Sequence, residues 1–257
     1  MFHFSALSVV TALPVPLRKL VTRRLYRRLT PRLLLDRRDV AGRRVLILGL
    51  ARTVAQDLAA IEPGRYDLIV RMNNGLDTPV PALGADRLRC DMLFHSLTPD
   101  ARPVTREKLA QAGVRMLVHR TPTQCAFLRT VIASRQLAPQ VEVRCLPLLR
   151  YQALSAALGG CSPTTGLVAA DFFLEAPIAE LAVVGCTFFQ TCYCPGYDPA
   201  VPDDAAARLR IADAAHHAPR QEAALFAERV RAARLRGLKV VLGPDVLAVL
   251  EGMGHSL

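Results

Sequence analysis

The residues Pro163-Thr164-Thr165-Gly166 open an apolar run that extends to Leu174. Two adjacent hydroxyls and a glycine at a helix start form an anion-holding device, because free backbone N–H groups and the helix dipole both point at a group bound there. A phosphate is the expected guest. Downstream, the strand-like Leu181-Ala182-Val183-Val184-Gly185 leads into an aromatic, Cys-rich loop and then to His216-His217. His217 stands before Ala218-Pro219 and a long helical pattern, so its imidazole falls on a loop at a helix start. There it suits a general base that takes a hydroxyl proton near neutral pH. His216 competes for that role, and a structural surface histidine is the plainer alternative for either.

Two further strand ends carry chemistry. The first apolar run finishes in Gly49-Leu50-Ala51-Arg52-Thr53, with a single glycine. It is neither the G-x-G-x-x-G dinucleotide fingerprint nor a phosphate loop ending in Gly-Lys-Ser/Thr, which argues against nicotinamide and ATP. An ordinary tight turn remains open for Gly49. Ligands of open parallel sheets sit at the C-terminal strand ends, where Gly49, Asn73, Ser96 and Thr164 would converge. Asn73 and Asn74, in Arg71-Met72-Asn73-Asn74-Gly75, each offer a donor and an acceptor to a base or sugar, although Asn-Gly is equally a turn signal. No apolar run leads into an Asp-x-Asp pair of the kind that holds a metal on a nucleotide diphosphate, so metal-free chemistry is expected. Cys192 and Cys194 with His216 and His217 make a rival zinc set, but without finger spacing.

The elements that must position these residues alternate as in a parallel α/β sheet. Strands are expected at 45–49, 66–71, 91–95, 114–118, 141–146, 180–185 and 238–242, and helices at 51–60, 105–112, 124–134, 165–174 and 220–236. In the last helix Ala224, Leu225, Ala227, Val230 and Leu235 fall near helical spacing, and Gly237 supplies a stop. The segment 186–215 has no clear period, contains Pro195, Gly196, Pro199 and Pro202, and reads as a lid over the phosphate end of a site.

At 257 residues, 51% hydrophobic and 21% charged, the chain suits one α/β domain with a sizeable core. Its net charge of +11 is uneven: residues 1–44 hold eleven Lys and Arg against Asp36 and Asp39. A nucleic-acid partner is therefore not expected, because the basic charge belongs to an arm and is not interleaved with stacking aromatics. The arm is placed at 1–40 and the domain at 41–257. The first 17 residues carry no Asp, Glu, Lys or Arg, are interrupted by Pro14 and Pro16, and fall short of the roughly 20 residues of a bilayer span. A signal peptide would have its positive charges first, and here they follow. Leu20, Val21, Leu25 and Leu29 among arginines suit an interfacial helix on an anionic cytoplasmic leaflet. The alternative is a solvated basic helix packed on its own domain. Seven cysteines, several in strand-like runs, read as reduced core thiols of a cytoplasmic protein.

The order Gly49 turn, Ile69-Val70-Arg71-Met72-Asn73, Pro163-Thr164-Thr165-Gly166, Val184-Gly185-Cys186-Thr187-Phe188-Phe189-Gln190 and His217 resembles the sialyltransferases, both animal-type family 29 and bacterial family 42. The strand ending in Arg-Met-Asn is similar to the end of the animal large motif, and Pro-Thr-Thr-Gly resembles the small motif. The resemblance implies a single Rossmann-like domain with a mostly parallel sheet, the GT-A-variant type, behind the basic N-terminal arm. It implies that the Gly49 turn, Asn73, Thr164, Thr165 and Gly166 hold cytidine monophosphate (CMP), with Thr53, Asn74 and Ser96 grouped in the same nucleotide site. His217 is then the general base, and Tyr193 or Tyr197 bonds the departing phosphate. The family has Asn where this chain has Leu50, and the bacterial loop has Tyr where this chain has Phe189. The implied activity is inverting, metal-independent transfer of sialic acid or a related acidic sugar from a CMP donor, without a cofactor. The acceptor would be a glycolipid or lipid-linked saccharide at the inner membrane face. A non-catalytic, membrane-peripheral nucleotide-binding module is the rival. A methyltransferase fits less well, because the first turn is Gly-poor and no acidic residue ends the second strand.

Overall fold

The computed structural model describes residues 13–98, 102–120, 126–198, 200–214 and 216–257, without the side chains of 212–214. Seven strands, β1 (Arg44–Leu48), β2 (Leu68–Met72), β3 (Met92–His95), β4 (Met116–His119), β5 (Glu142–Cys145), β6 (Glu180–Val184) and β7 (Lys239–Leu242), form one sheet in the order β5-β4-β3-β2-β1-β6-β7. Every pairing is parallel. The chain starts in mid-sheet, walks out to β5, and returns across β1 to lay down β6 and β7. The order therefore reverses between β1 and β6, where parallel sheets open a ligand crevice.

Strands buried on both faces read as continuous apolar runs. In β1 the alternation has a consequence: Val45 and Ile47 feed the larger core, while Leu46 and Leu48 feed the opposite one. The larger core is closed by α6 (Thr165–Leu174) and α8 (Pro219–Leu235). Asp171 of α6 is buried and holds Arg150 at 2.7 Å and Arg229 of α8 at 3.5 Å, so an ion cluster fixes the two helices to each other. The second core is closed by α2 (Val54–Ala59).

Each expected strand is present with its ends within two residues, and the expected helices are present, with ends within three, as α2, α3 (Arg106–Ala112), α4 (Phe127–Leu137), α6 and α8. Residues 124 and 125 of the expected third helix lie outside the described residues. Three helices were not expected: α5 (Leu148–Ala157), α7 (Asp204–Ala214) and α9 (Pro244–Gly252). α7 corrects the reading of 186–215 as irregular throughout. Its sequence DAAARLRIADA has no apolar stripe, so periodicity missed it. The helix rests on the propensity of Ala, Arg and Leu and on Asp203, whose carboxylate accepts the Ala206 N–H at 2.8 Å.

The described part of the segment expected as an arm contains helix α1 (Val15–Leu33) and a 3-10 turn (Arg37–Val40), and the helix is packed on the sheet and α4. Tyr26 meets Phe127 edge-on at 5.0 Å, and Leu29, Leu33 and Leu34 gather on Phe127, Val131 and Cys145. The Leu35 N–H donates to Cys145 O at 2.9 Å, so the arm caps the open edge of β5. Leu35 and Val40 join the larger core. The outer face of α1 leaves Arg18, Lys19, Arg23, Arg24, Arg27 and Arg28 exposed, along with Val15, Leu17 and Leu20. Among the described residues no helix is long and apolar enough to cross a membrane. The charge-free start, up to residue 12, lies outside the described residues. The six described cysteines are free thiols.

Candidate active site

At the strand-order reversal, Gly49 and Gly185 lie back to back. A Cβ on Gly49 would stand 2.1 Å from Gly185 O, and Gly185 has φ +61°, so both positions demand glycine. Gly49 is thus more than a tight turn. Asp57 of α2, buried below this contact, accepts from Gly185 N–H at 2.7 Å and Asp245 N–H at 2.8 Å. Burial raises its pKa against those two bonds.

The start of α6 is built on extended Thr164, whose Oγ1 accepts the Leu167 N–H at 3.2 Å. Glu222, on the first turn of α8, takes the Thr164 N–H at 2.9 Å and its hydroxyl proton at 2.5 Å. Asn73, at φ +46°, donates to Thr165 Oγ1 at 3.0 Å and accepts the Ser96 N–H at 3.0 Å. Its carboxamide therefore joins β2, β3 and α6. Fully buried Arg71 shapes that turn by donating to the carbonyls of Gly75, Thr78, Arg87 and Arg89.

His217 reaches the α6 tip because two chain segments run side by side. Ser162 N–H donates to His216 O at 2.8 Å, and His217 Nδ1 meets Ser162 O at 2.6 Å. A carbonyl only accepts, so the neutral imidazole carries its proton on Nδ1 and keeps the Nε2 lone pair. Glu222 Oε1 lies farther from Nδ1, at 3.9 Å. Burial lowers the His217 pKa, opposed by the Ser162 bond and reinforced by His216 and Arg120. Burial pushes Glu222 up to about 7 despite its two bonds to Thr164. Phe189 stacks on His217 at 6.2 Å, and the ring series continues through Tyr193 to Tyr197, which are 4.3 Å apart. Phe188 and Phe189 both have positive φ, at 48° and 59°, a strained turn that aims Phe189 at the imidazole.

Two cavities meet at the α6 tip. One, of about 160 Å³, is largely apolar and lies over Gly49, Leu50, Ala51 and Gly185, with Gly166 on its wall. The other, of about 370 Å³, is polar and is lined by Asn74, Ser96, Arg120, His216 and His217. They share Asn73, Thr164, Thr165, Phe189, Tyr193 and Tyr197. The structure thus gathers all the sequence-derived site residues except Thr53. That residue lines neither cavity: Arg52 N–H bonds Cys192 O and Cys194 N–H bonds Leu50 O, so the loop covers the turn and leaves Thr53 buried at the head of α2. Burial raises both loop tyrosines, Tyr197 to about 12, so both are neutral O–H groups. Among the described residues no three His, Cys, Asp or Glu side chains form a metal-holding group.

No protein-family model and no curated protein sequence matches this chain. Solved structures do. A mammalian sialyltransferase in complex with a Gal-β-1-3GalNAc nitrophenol aligns over 93% of this chain and 85% of its own, with 13% identity and a TM-score of 0.52. The fold is that of the sialyltransferases. A second mammalian sialyltransferase structure aligns over 88% of this chain and 79% of its own, at 16% identity and a TM-score of 0.50. One from Campylobacter jejuni, with cytidine-5'-monophosphate, covers 80% and 87% at 15% identity and a TM-score of 0.49. At these identities the likeness is one of fold, and the sialyltransferase resemblance of the motifs holds at that level.

Within this fold, Glu222, Asp57 and Arg120 were missed by reading motifs. For Glu222 a signal existed: it lies five residues after His217, one turn into a helix whose start Pro219 marks. Asp57 and Arg120 carried none, since their partners are 128 and 43 residues away in the chain.

Proposed function

We propose that the chain is a metal-independent, inverting glycosyltransferase that moves sialic acid, or a related acidic sugar, from a CMP donor to a glycan hydroxyl. The observation that carries this reading is the cavity in which His217 and the Thr164–Thr165 tip meet, inside a sialyltransferase fold. The nucleoside would occupy the crevice over Gly49 and Gly185. Its phosphate would take the N–H groups at the start of α6, where Gly166 leaves room, and a hydroxyl from Tyr193 or Tyr197. A monophosphate leaving group carries less charge than a diphosphate, so these donors suffice without a divalent ion. His217 Nε2 would remove the acceptor's proton as that oxygen attacks the anomeric carbon on the face opposite the departing CMP. A glycan acceptor is supported by the acceptor-type saccharide in the mammalian neighbour. The exposed cations and leucines of α1 support a place on the anionic inner face of a membrane, with a glycolipid or lipid-linked acceptor.

The rival binding module draws on Asn73, whose carboxamide serves the protein's own bonds, and on apolar Leu50 at the crevice. A thermal-shift screen of CMP, UDP, GDP, NAD and S-adenosylmethionine separates donor classes, with stabilisation by CMP alone expected. The His217→Ala variant is expected to bind CMP as the parent does and to lose at least about 100-fold in kcat. Undiminished turnover in that variant rejects the mechanism, and CMP binding without transfer in the parent favours the module.

A further inference from the structure

The polar cavity contains a cation that the donor-holding groups leave unused. Arg120 directly follows β4 and lines the cavity with Ser96, Thr164 and His217. Its Nη1 donates to Pro163 O at 2.7 Å and lies 3.5 Å from the Tyr151 hydroxyl, whose ring is 6.0 Å from the guanidinium carbon. Its Nε is sealed from solvent and has no hydrogen-bond partner among the described residues. Arg210, the other arginine of the cavity, is paired with Asp198, whereas among the described residues no carboxylate forms an ion pair with Arg120. A guanidinium drawn partly out of water, hydrogen-bonded among the described residues only to neutral oxygens and with the Glu222 carboxyl as a charged neighbour beyond ion-pair distance, is an incomplete site that an anion completes.

We propose that Arg120 binds the carboxylate of the donor's acidic sugar. The assignment rests on the CMP-sugar reading. Neighbouring strands lie about 4.8 Å apart, so the end of β4, three strands from β1, is roughly 14 Å from the nucleoside crevice. The α6 tip lies between the two cavities and meets the phosphate, which leaves the sugar over β3 and β4, beside His217. The planar fork of arginine matches a carboxylate there, and a lysine provides only a point charge.

The test is titration calorimetry of the parent, Arg120→Gln and Arg120→Lys with CMP and with a non-transferable 3-fluoro analogue of the CMP-sugar, each variant checked for its melting transition. For Arg120→Gln, CMP affinity is expected to stay within about threefold and analogue affinity to fall about tenfold or more, with Arg120→Lys between. If Arg120→Gln does not fold, a loss confined to the analogue in Arg120→Lys supports the assignment. Equal losses for both ligands assign Arg120 to the phosphate and overturn the proposal. No loss in either variant makes Arg120 a support for Pro163 and overturns it too. A parent that binds neither ligand rejects the CMP reading itself, an outcome distinct from both.

Discussion

Glu222 sets a buried carboxyl beside the place where a phosphate would sit, and its raised pKa gives that closeness a sign. The neutral acid tolerates a dianionic donor and the carboxylate repels it, so kcat/KM is expected to fall as pH rises through about 7. With His217 as the proposed base, the acid limb is expected below the ordinary 6.5, because burial lowers its pKa. Glu222→Gln keeps the Thr164 N–H bond on its carboxamide oxygen and reverses the other, its amide N–H donating to Thr164 Oγ1, and is expected to remove only the alkaline limb; a limb that persists in the variant rejects this role. Stability follows the same proton. Between pH 4.5 and about 7 the folded chain holds a proton that the unfolded chain has released, so this group makes stability fall with rising pH. Urea unfolding of parent and Glu222→Gln at pH 5 and pH 8 reads the difference, which is expected to favour the variant at pH 8. Two glycines separate structure from binding. A Cβ on Gly166 meets Met72 Cε at 3.9 Å and Thr164 Oγ1 at 4.0 Å, both ordinary contacts, so Gly166→Ala is expected to stabilise the fold by up to about 0.5–1 kcal/mol. The same methyl fills the phosphate approach and is expected to weaken CMP binding. Gly49→Ala collides with a carbonyl and is expected to cost about 3 kcal/mol.

The loop after β6 is tied down by one side chain of α7. Asp204 takes Arg52 through Nε at 3.0 Å and Nη2 at 2.9 Å, and it accepts the Cys192 N–H at 2.8 Å. The Arg52 bonds, then the Cys192 N–H, hold its pKa well below the usual carboxylate range. The pair is exposed enough that Asp204→Ala is expected to change global stability by no more than about 1 kcal/mol. Protease cleavage between 190 and 205 is expected to rise, with a higher KM, because Tyr193 and Tyr197 lose their support. Unchanged cleavage rejects the tether. This element also marks how far the sequence could be read. β1 to β7 were legible because each is an apolar run between turn residues, and Thr164 was legible because a capping hydroxyl sits next to the helix it starts. α7 was not, because an Ala-rich helix without an apolar stripe has no period to find. Thr53 was misplaced because the strand-to-helix turn gives no sign of the distant Cys192–Cys194 segment that covers it. Asn73 reads from the sequence as a ligand for a base or sugar, or as a turn residue, and its bonds to Ser96 and Thr165 arise only once β2, β3 and α6 are side by side.

At the scale of the molecule, charge and architecture divide the chain differently. Nine of the eleven net positive charges precede residue 45, yet the described part of that segment is built into the sheet edge. Exposed Arg23, Arg24, Arg27 and Arg28 are expected to bind vesicles containing anionic lipid and to leave neutral vesicles alone. Replacing all four by Ala is expected to remove about 1 kcal/mol each, so the partition coefficient onto anionic vesicles, read by co-sedimentation, is expected to drop by roughly 1,000-fold while the fold survives. Equal sedimentation of parent and variant would discard the membrane role. Because Tyr26 and Leu29 seat α1 on Phe127, this mount has no slack, unlike a flexible stalk. The catalytic mouth would stand at a set height above whatever surface the helix rests on, and chain length in the acceptor would become a selection rule: saccharides that end too near or too far from that plane go unmodified.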